Sequence, residues 1–264
     1  MLRTGEQGAV MEFRFGDDTV VVNVPTWAVL EARVRERFAR RAGFALATIN
    51  LDHIVKLRGS DSFRTVYAAQ DFVVADGYPI VWLSQLAGRP VSLIPGSEAI
   101  LPLAQIAAAQ GVTVALFGSS EPVLAAAAEY LEREVRDLQV VCQIAPPMGF
   151  DPAGPQAEDM LRQIAGTGAR LCFVALGAPK QETFAATGRR VAPEVGFASI
   201  GAGLDFFAGT QQRAPAWVRR IAMEWLWRML LNPGRLAGRY AKCALALPGL
   251  AVRAMLLRFR DRKA

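Results

Sequence analysis

Short apolar runs that stop abruptly at small or polar residues recur along the chain, and helical spacing fills the gaps between them. FALATIN (44–50), FVVADG (72–77), VTVALFGSS (112–120), LQVVCQI (138–144), LCFVALGAPKQE (171–182) and GFASIGAGLDFFAG (196–209) are these runs. Uninterrupted apolar runs of this length are the pattern of strands covered on both faces. Between them, residues 27–40 place Val29, Leu30, Val34 and Phe38 on one helical face with arginines opposite, and further helices are predicted over 61–70, 79–86, from IPGSE (94–98) with Ser97 as N-cap, from Glu121, up to about Ile164, and from Pro179. Strand alternating with helix predicts an α/β fold, a Rossmann-like, mostly parallel sheet flanked by helices. EFRFGDDTVVVN (12–23) reads as an N-terminal β-hairpin about a GDD turn, capping one edge of that fold.

The stretch FVVADG organises the candidate chemistry. In open α/β sheets ligands gather beyond the carboxyl ends of the strands, so Asp76 is delivered to where a substrate would lie. The plainer alternative is that Asp76 caps the helix beginning near Pro79. FALATIN ends in Thr48, Ile49 and Asn50, and a strand–helix–strand unit should bring Thr48 and Asp76 out on one sheet edge. The other runs add Gly118, then Gly177 with Lys180, Gln181 and Glu182, then Asp205 at the same edge. His53, the single histidine, lies near Asn50, where a structural role outweighs a catalytic one. Neither GxGxxG nor GxxxxGK[ST] is present, and Asn50, Leu51 and Asp52 stand where a dinucleotide fingerprint would follow the first strand, which counts against a nucleotide-dependent oxidoreductase.

Composition and charge divide the chain. It has 264 residues, 52% of them apolar, enough for a large core. Cys142, Cys172 and Cys243 are odd in number and lack metal spacing, which fits a reducing cytoplasm and no bound metal. The N-terminus carries acids and no signal-peptide core, so export by that route is not expected. From Thr210 onward there are 12 Lys or Arg against two acids, a charge of +10 in a chain whose total is +6. An α/β core over 1–209 and a basic helical appendage over 210–264 follow. Three of the five tryptophans lie in that tail, interleaved with arginines, on helices expected to break at residues 232–234 and at Pro248 and Gly249. No apolar run there approaches the roughly 20 residues of a bilayer span, and Trp, Leu and Phe among cations suit a helix in the membrane interface. The anionic partner could be phospholipid, a diphosphate substrate or nucleic acid, and a non-catalytic basic binding module is the alternative to an enzyme.

TIN (48–50), ADG (75–77), PGSE (95–98), ALGAPKQE (175–182), GAGLDFFAG (201–209) and RAP with EWLWR (213–228) occur in an order and spacing that resembles the WecG/TagA/CpsF family, glycosyltransferase family 26. The resemblance implies an inverting transfer of a hexosyl or N-acetylhexosaminyl unit from a UDP-sugar donor to a polyprenyl-diphosphate-linked sugar on the inner face of the plasma membrane, with no cofactor, no required metal and no nucleic acid. It implies a role in exopolysaccharide or cell-envelope polysaccharide synthesis by a peripheral, cytoplasmic-side protein. Carried onto this chain, it makes Asp76 the catalytic base and Thr48 its neighbour. Gln181 falls near the donor, with Asn50, Gly118, Gly177, Lys180, Glu182 and Asp205 as further donor-side candidates. Arg213, Arg219, Arg220 and Arg228 fall where the family grips the acceptor diphosphate. The chain departs from the family at Leu93 and Ile94, where a basic residue often stands, and at Leu204 before Asp205, where members often show Phe-Asp. Which sugar is moved stays open.

Overall fold

The computed structural model describes residues 10–209 and 233–261, with Pro215, Trp227, Met229 and Leu230 between them. β1 (Met11–Phe15) and β2 (Asp18–Val22) form the expected hairpin, turning at Gly16 with φ +64°. It is a separate two-stranded sheet, and the residues after it cover the edge of β4 (Phe72–Ala75): Val24 donates to the Val73 carbonyl at 3.2 Å and the Asn23 side chain accepts from Val73 at 2.8 Å.

The main sheet has six parallel strands in the order β4-β3-β8-β7-β5-β6. The others are β3 (Ala45–Ile49), β5 (Val114–Gly118), β6 (Val140–Ile144), β7 (Leu171–Ala175) and β8 (Gly196–Ser199). One face packs on α1 (Trp27–Ala39), α5 (Gly96–Ala109), α6 (Glu121–Glu134) and α9 (Gly203–Phe207). The opposite face is covered in halves. α7 (Pro155–Gly166) and α8 (Lys180–Val191) lie over one half. α2 (Leu51–Arg58), α3 (Asp61–Ala68), α4 (Tyr78–Leu86), the hairpin and α10 (Pro233–Asp261) lie over the other.

Three local expectations are corrected. The stretch after β3, read as exit residues leading to one helix, holds an additional helix, α2, because the Asn50 side-chain oxygen accepts from the His53 amide at 3.1 Å and caps it. At the start of α5 the cap position is Pro95, so Ser97 lies inside the first turn. Pro248 does not break the tail: α10 runs through it from residue 233 to 261. The proline sits on the exposed side of the helix, while Leu236, Cys243, Ala246, Leu250 and Ala254 form a stripe, spaced by three, four or seven, buried mainly against α2 and α4. Packing along that stripe outweighs the one hydrogen bond that a proline removes.

Ion pairs fix both ends of α10. Arg239 meets Asp52 of α2 at 3.1 Å, and Arg89 grips Asp261 through two bonds of 2.8 Å. With Pro248 accommodated, Leu236–Asp261 is long and apolar enough to cross a membrane by length and composition, against the sequence expectation of no sufficient run. Leu250 is the buried centre of the contact. Leu250→Ala is expected to lower stability by about 2–5 kcal/mol, measured by urea denaturation.

Candidate active site

β3 and β4 pair in parallel with Thr48 opposite Val74 and Ile49 opposite Ala75, and the Asp76 amide donates to the Ile49 carbonyl at 2.8 Å. Thr48 is buried and Asp76 is partly exposed just past the strand end. The sheet therefore brings the two to one carboxyl edge. The cap position of α4 is Gly77, with φ +100° and no side-chain cap bond, so Asp76 does not hold the position proposed for it as a helix cap.

A second part of the edge lies where the connections diverge. From β7 the chain goes through α8 to β8, towards β4, whereas from β5 it goes through α6 to β6 at the other margin. Loops leaving adjacent strands in opposite directions open a crevice between them. Here β5 and β7 come close: a Cβ on Gly118 would stand 2.3 Å from the Ala175 carbonyl oxygen, and Gly118 has φ +107°. Ser119 follows with φ +50°, and its hydroxyl donates to Asp205 of α9 at 3.3 Å. Gly118 and Asp205 are thus brought together through Ser119.

The PKQE segment is built differently from its expected role as a set of donor contacts. Lys180 points its ammonium to the Phe150 carbonyl at 2.8 Å, in the loop before α7. Gln181 is buried; its oxygen accepts from the Gly201 amide and its nitrogen donates to Glu182, both at 2.8 Å. Glu182 is 0% exposed, so a direct contact with a donor would first need it uncovered. Gly177 is open, since a Cβ there would meet nothing within 4 Å. Arg213, Arg219, Arg220 and Arg228 lie outside the described residues. Among the described residues no three His, Cys, Asp or Glu side chains are grouped so as to hold a metal ion.

A family model for the WecG/TagA/CpsF family of glycosyl transferases matches residues 19–264. The chain belongs to this family. Two curated relatives are both named N-acetylglucosaminyldiphosphoundecaprenol N-acetyl-β-D-mannosaminyltransferase. The protein of Bacillus subtilis strain 168 is 26% identical over 198 residues, 74% of this chain and 75% of its own length. That of Bacillus spizizenii W23 is 28% identical over 195 residues, 73% of each chain.

Within this family member, the buried polar centre behind the edge is His53. Its Nδ1 is 3.0 Å from the Tyr67 hydroxyl and its Nε2 is 3.7 Å from Glu182. Burial holds the imidazole below its ordinary pKa; Glu182 and Asp52 pull the other way without prevailing, and Lys56 adds to the lowering. Burial, reinforced by Glu182 and Asp76, holds the Tyr67 hydroxyl well above its usual value. Tyr67 was invisible to sequence reasoning because only α3 packing on α2 brings it to His53.

Beside α2 a cavity of about 590 Å³ is lined by Asp52, Lys56, Phe63, Pro179, Arg239 and Lys242, among others. Asp52 bonds Lys56 at 2.8 Å as well as Arg239, while Lys242 has no carboxylate partner among the described residues.

The unfolded chain takes up the His53 proton near pH 6.5, before the folded protein does. Stability from this group is therefore present above pH 6.5 and is lost as pH falls from 6.5 through the lower folded-state value. Denaturation at several pH values between about 7.5 and 5 should show that decline in the wild type and a flatter profile in His53→Gln.

Proposed function

We propose that the chain is an inverting hexosyl- or N-acetylhexosaminyltransferase that uses a UDP-sugar and a polyprenyl-diphosphate-linked sugar acceptor, working at the inner face of the plasma membrane in exopolysaccharide or cell-envelope polysaccharide synthesis. The observation that carries this reading is the register that brings Asp76 and Thr48 out together at the carboxyl edge of β3 and β4 in a member of this family. The names of the two Bacillus relatives favour an N-acetylhexosaminyl unit and an acceptor of the same kind.

In the proposed reaction Asp76 takes the proton from an acceptor hydroxyl as its oxygen bonds to the anomeric carbon. The bond from that carbon to the diphosphate oxygen breaks on the opposite side, and UDP leaves with the electron pair. Attack from the face opposite the leaving group inverts the anomeric centre. The crevice beyond β5 and β7 is suited to the donor. The N-terminus of α6, where Ser120 makes no side-chain cap bond, offers backbone amides to a diphosphate. Asp205 is a candidate for the ribose hydroxyls. Gln181 retains one amide hydrogen for a substrate. Lys56, Arg239 and Lys242 give the cavity beside α2 a cationic rim for the acceptor diphosphate, alongside the arginines at 213, 219, 220 and 228.

In this reading residues 1–209 are the transferase core and 210–264 serve acceptor and membrane contact. The side of α10 facing away from the core supports the membrane part. Leu245, Val252, Met255, Leu256 and Phe259 are exposed there, Leu245 to 83%, with Lys242, Arg253, Arg258 and Arg260 along the flanks. An apolar face bordered by cations matches an anionic bilayer surface.

Purified protein is expected to release UDP and form a glycosylated lipid from a panel of UDP-sugars and a short-chain polyprenyl-diphosphate-linked N-acetylglucosamine, without added metal. Asp76→Asn should cut turnover by about 100- to 10,000-fold while keeping UDP affinity by calorimetry; undiminished turnover removes Asp76 from its role. Co-sedimentation with vesicles containing anionic lipid should drop when Leu245 and Leu256 are both changed to Asp. Equal sedimentation of wild type and variant would refute membrane contact through α10.

A further inference from the structure

The polar groups behind the carboxyl edge form one buried chain, of which the proposed chemistry uses only one amide hydrogen of Gln181. It runs from the Tyr67 hydroxyl to His53, past Glu182 to Gln181, and ends at the Gly201 amide in the turn after β8. Tyr67, His53, Gln181 and Glu182 are all buried, and the Glu182 Oε2 has no hydrogen-bond partner among the described residues. Such an arrangement costs stability relative to apolar packing unless something else requires it.

The bonds have definite directions. Gly201 N–H is a donor, so the Gln181 side chain must turn its oxygen that way, and its nitrogen then faces the Glu182 carboxylate. An acceptor at position 182 therefore prevents the amide from turning over. At His53, Nδ1 faces the Tyr67 hydroxyl and Nε2 lies 3.7 Å from the Glu182 oxygen that accepts from Gln181, so a ring N–H on Nε2 suits that oxygen and the neutral imidazole then accepts from Tyr67. One carboxylate thus holds Gln181 and, through it, the Gly201 turn, and the imidazole beside that carboxylate is held by Tyr67.

We propose that His53 and Glu182 are positioning residues for sugar transfer, holding Gln181 and the turn after β8 from behind so that the carboxyl edge of the sheet keeps a single geometry. This rests on the glycosyltransferase reading. Neither residue need touch a substrate: displacing a reacting group by about 1 Å is enough to cost on the order of 100-fold in rate.

The test is steady-state kinetics of the full-length protein with the UDP-sugar that the wild type turns over, together with UDP calorimetry and thermal unfolding. Glu182→Ala should lose about 100-fold in kcat with the donor KM and UDP affinity within about threefold. Glu182→Gln, which keeps an oxygen for the Gln181 amide, should recover most of that loss. Tyr67→Phe preserves shape and removes only the hydroxyl that His53 accepts from, so it keeps the proposal testable if Glu182→Ala does not fold. It should lower kcat by about three- to tenfold and move the acidic limb of the kcat profile to higher pH, because the neutral imidazole loses a donor. The groups facing His53 in that titration are Glu182, Asp52, Lys56 and Tyr67.

A folded Glu182→Ala with kcat within about twofold of wild type, or a Tyr67→Phe with unchanged kcat and unchanged acidic limb, overturns the positioning role. A wild type that transfers no sugar refutes the transferase reading instead, so the two failures are distinguishable.

Discussion

The carboxylate of Glu182 is buried without a Lys or Arg bonded to it among the described residues, and the carboxyl edge of the sheet is arranged around that constraint. One oxygen is used by Gln181 and the other has no hydrogen-bond partner among the described residues, while His53 lies 3.7 Å away in a form that burial keeps neutral. An unsatisfied buried polar atom costs about 1–3 kcal/mol, so the group persists only because the surrounding bonds determine its place. Through Gln181 it fixes the turn after β8. Beside it His53 is held by Tyr67 on α3. Elements distant in sequence are locked together there before any substrate arrives.

The strand order then divides the edge into two parts. β3 and β4, paired in register at one margin, present Thr48 and Asp76. β5 and β7, whose connections run in opposite directions, leave a crevice bordered by Gly118, Ser119 and Asp205. β8 lies between these halves, and its exit is the one that Gln181 holds. In the proposed transfer, the nucleotide-bearing donor and the acceptor hydroxyl would meet between these two parts.

α10 faces both ways. Its inner stripe belongs to the same core as the hairpin, α2 and α4, and its two ends are pinned by Asp52 and by Arg89. Its outer side is apolar and flanked by cations. Because Asp52 also holds Lys56 on the rim of the cavity beside α2, a force on α10 would be felt close to where the acceptor is proposed to bind.

The apolar runs and their polar ends are enough to read an α/β sheet, the N-terminal hairpin, and Asp76 and Thr48 on one edge, because strand periodicity and parallel connection are local or near-local properties. Spacing within the chain also marked PKQE as important, but not how it acts. That Gln181 is a brace, that Glu182 is sealed, that Lys180 ties down a loop, and that His53 finds Tyr67 are consequences of α8 and α3 packing across long sequence separations. Pro248 carries the same lesson from the other side: its local preference to break a helix is real, and it is overruled by the buried stripe from Leu236 to Ala254. Residue types and periodicity determined the layers and the chemistry available at the edge. Only the tertiary structure decided which of those groups are exposed to react and which are buried to hold the others, because burial and bond direction depend on neighbours that a linear chain does not specify.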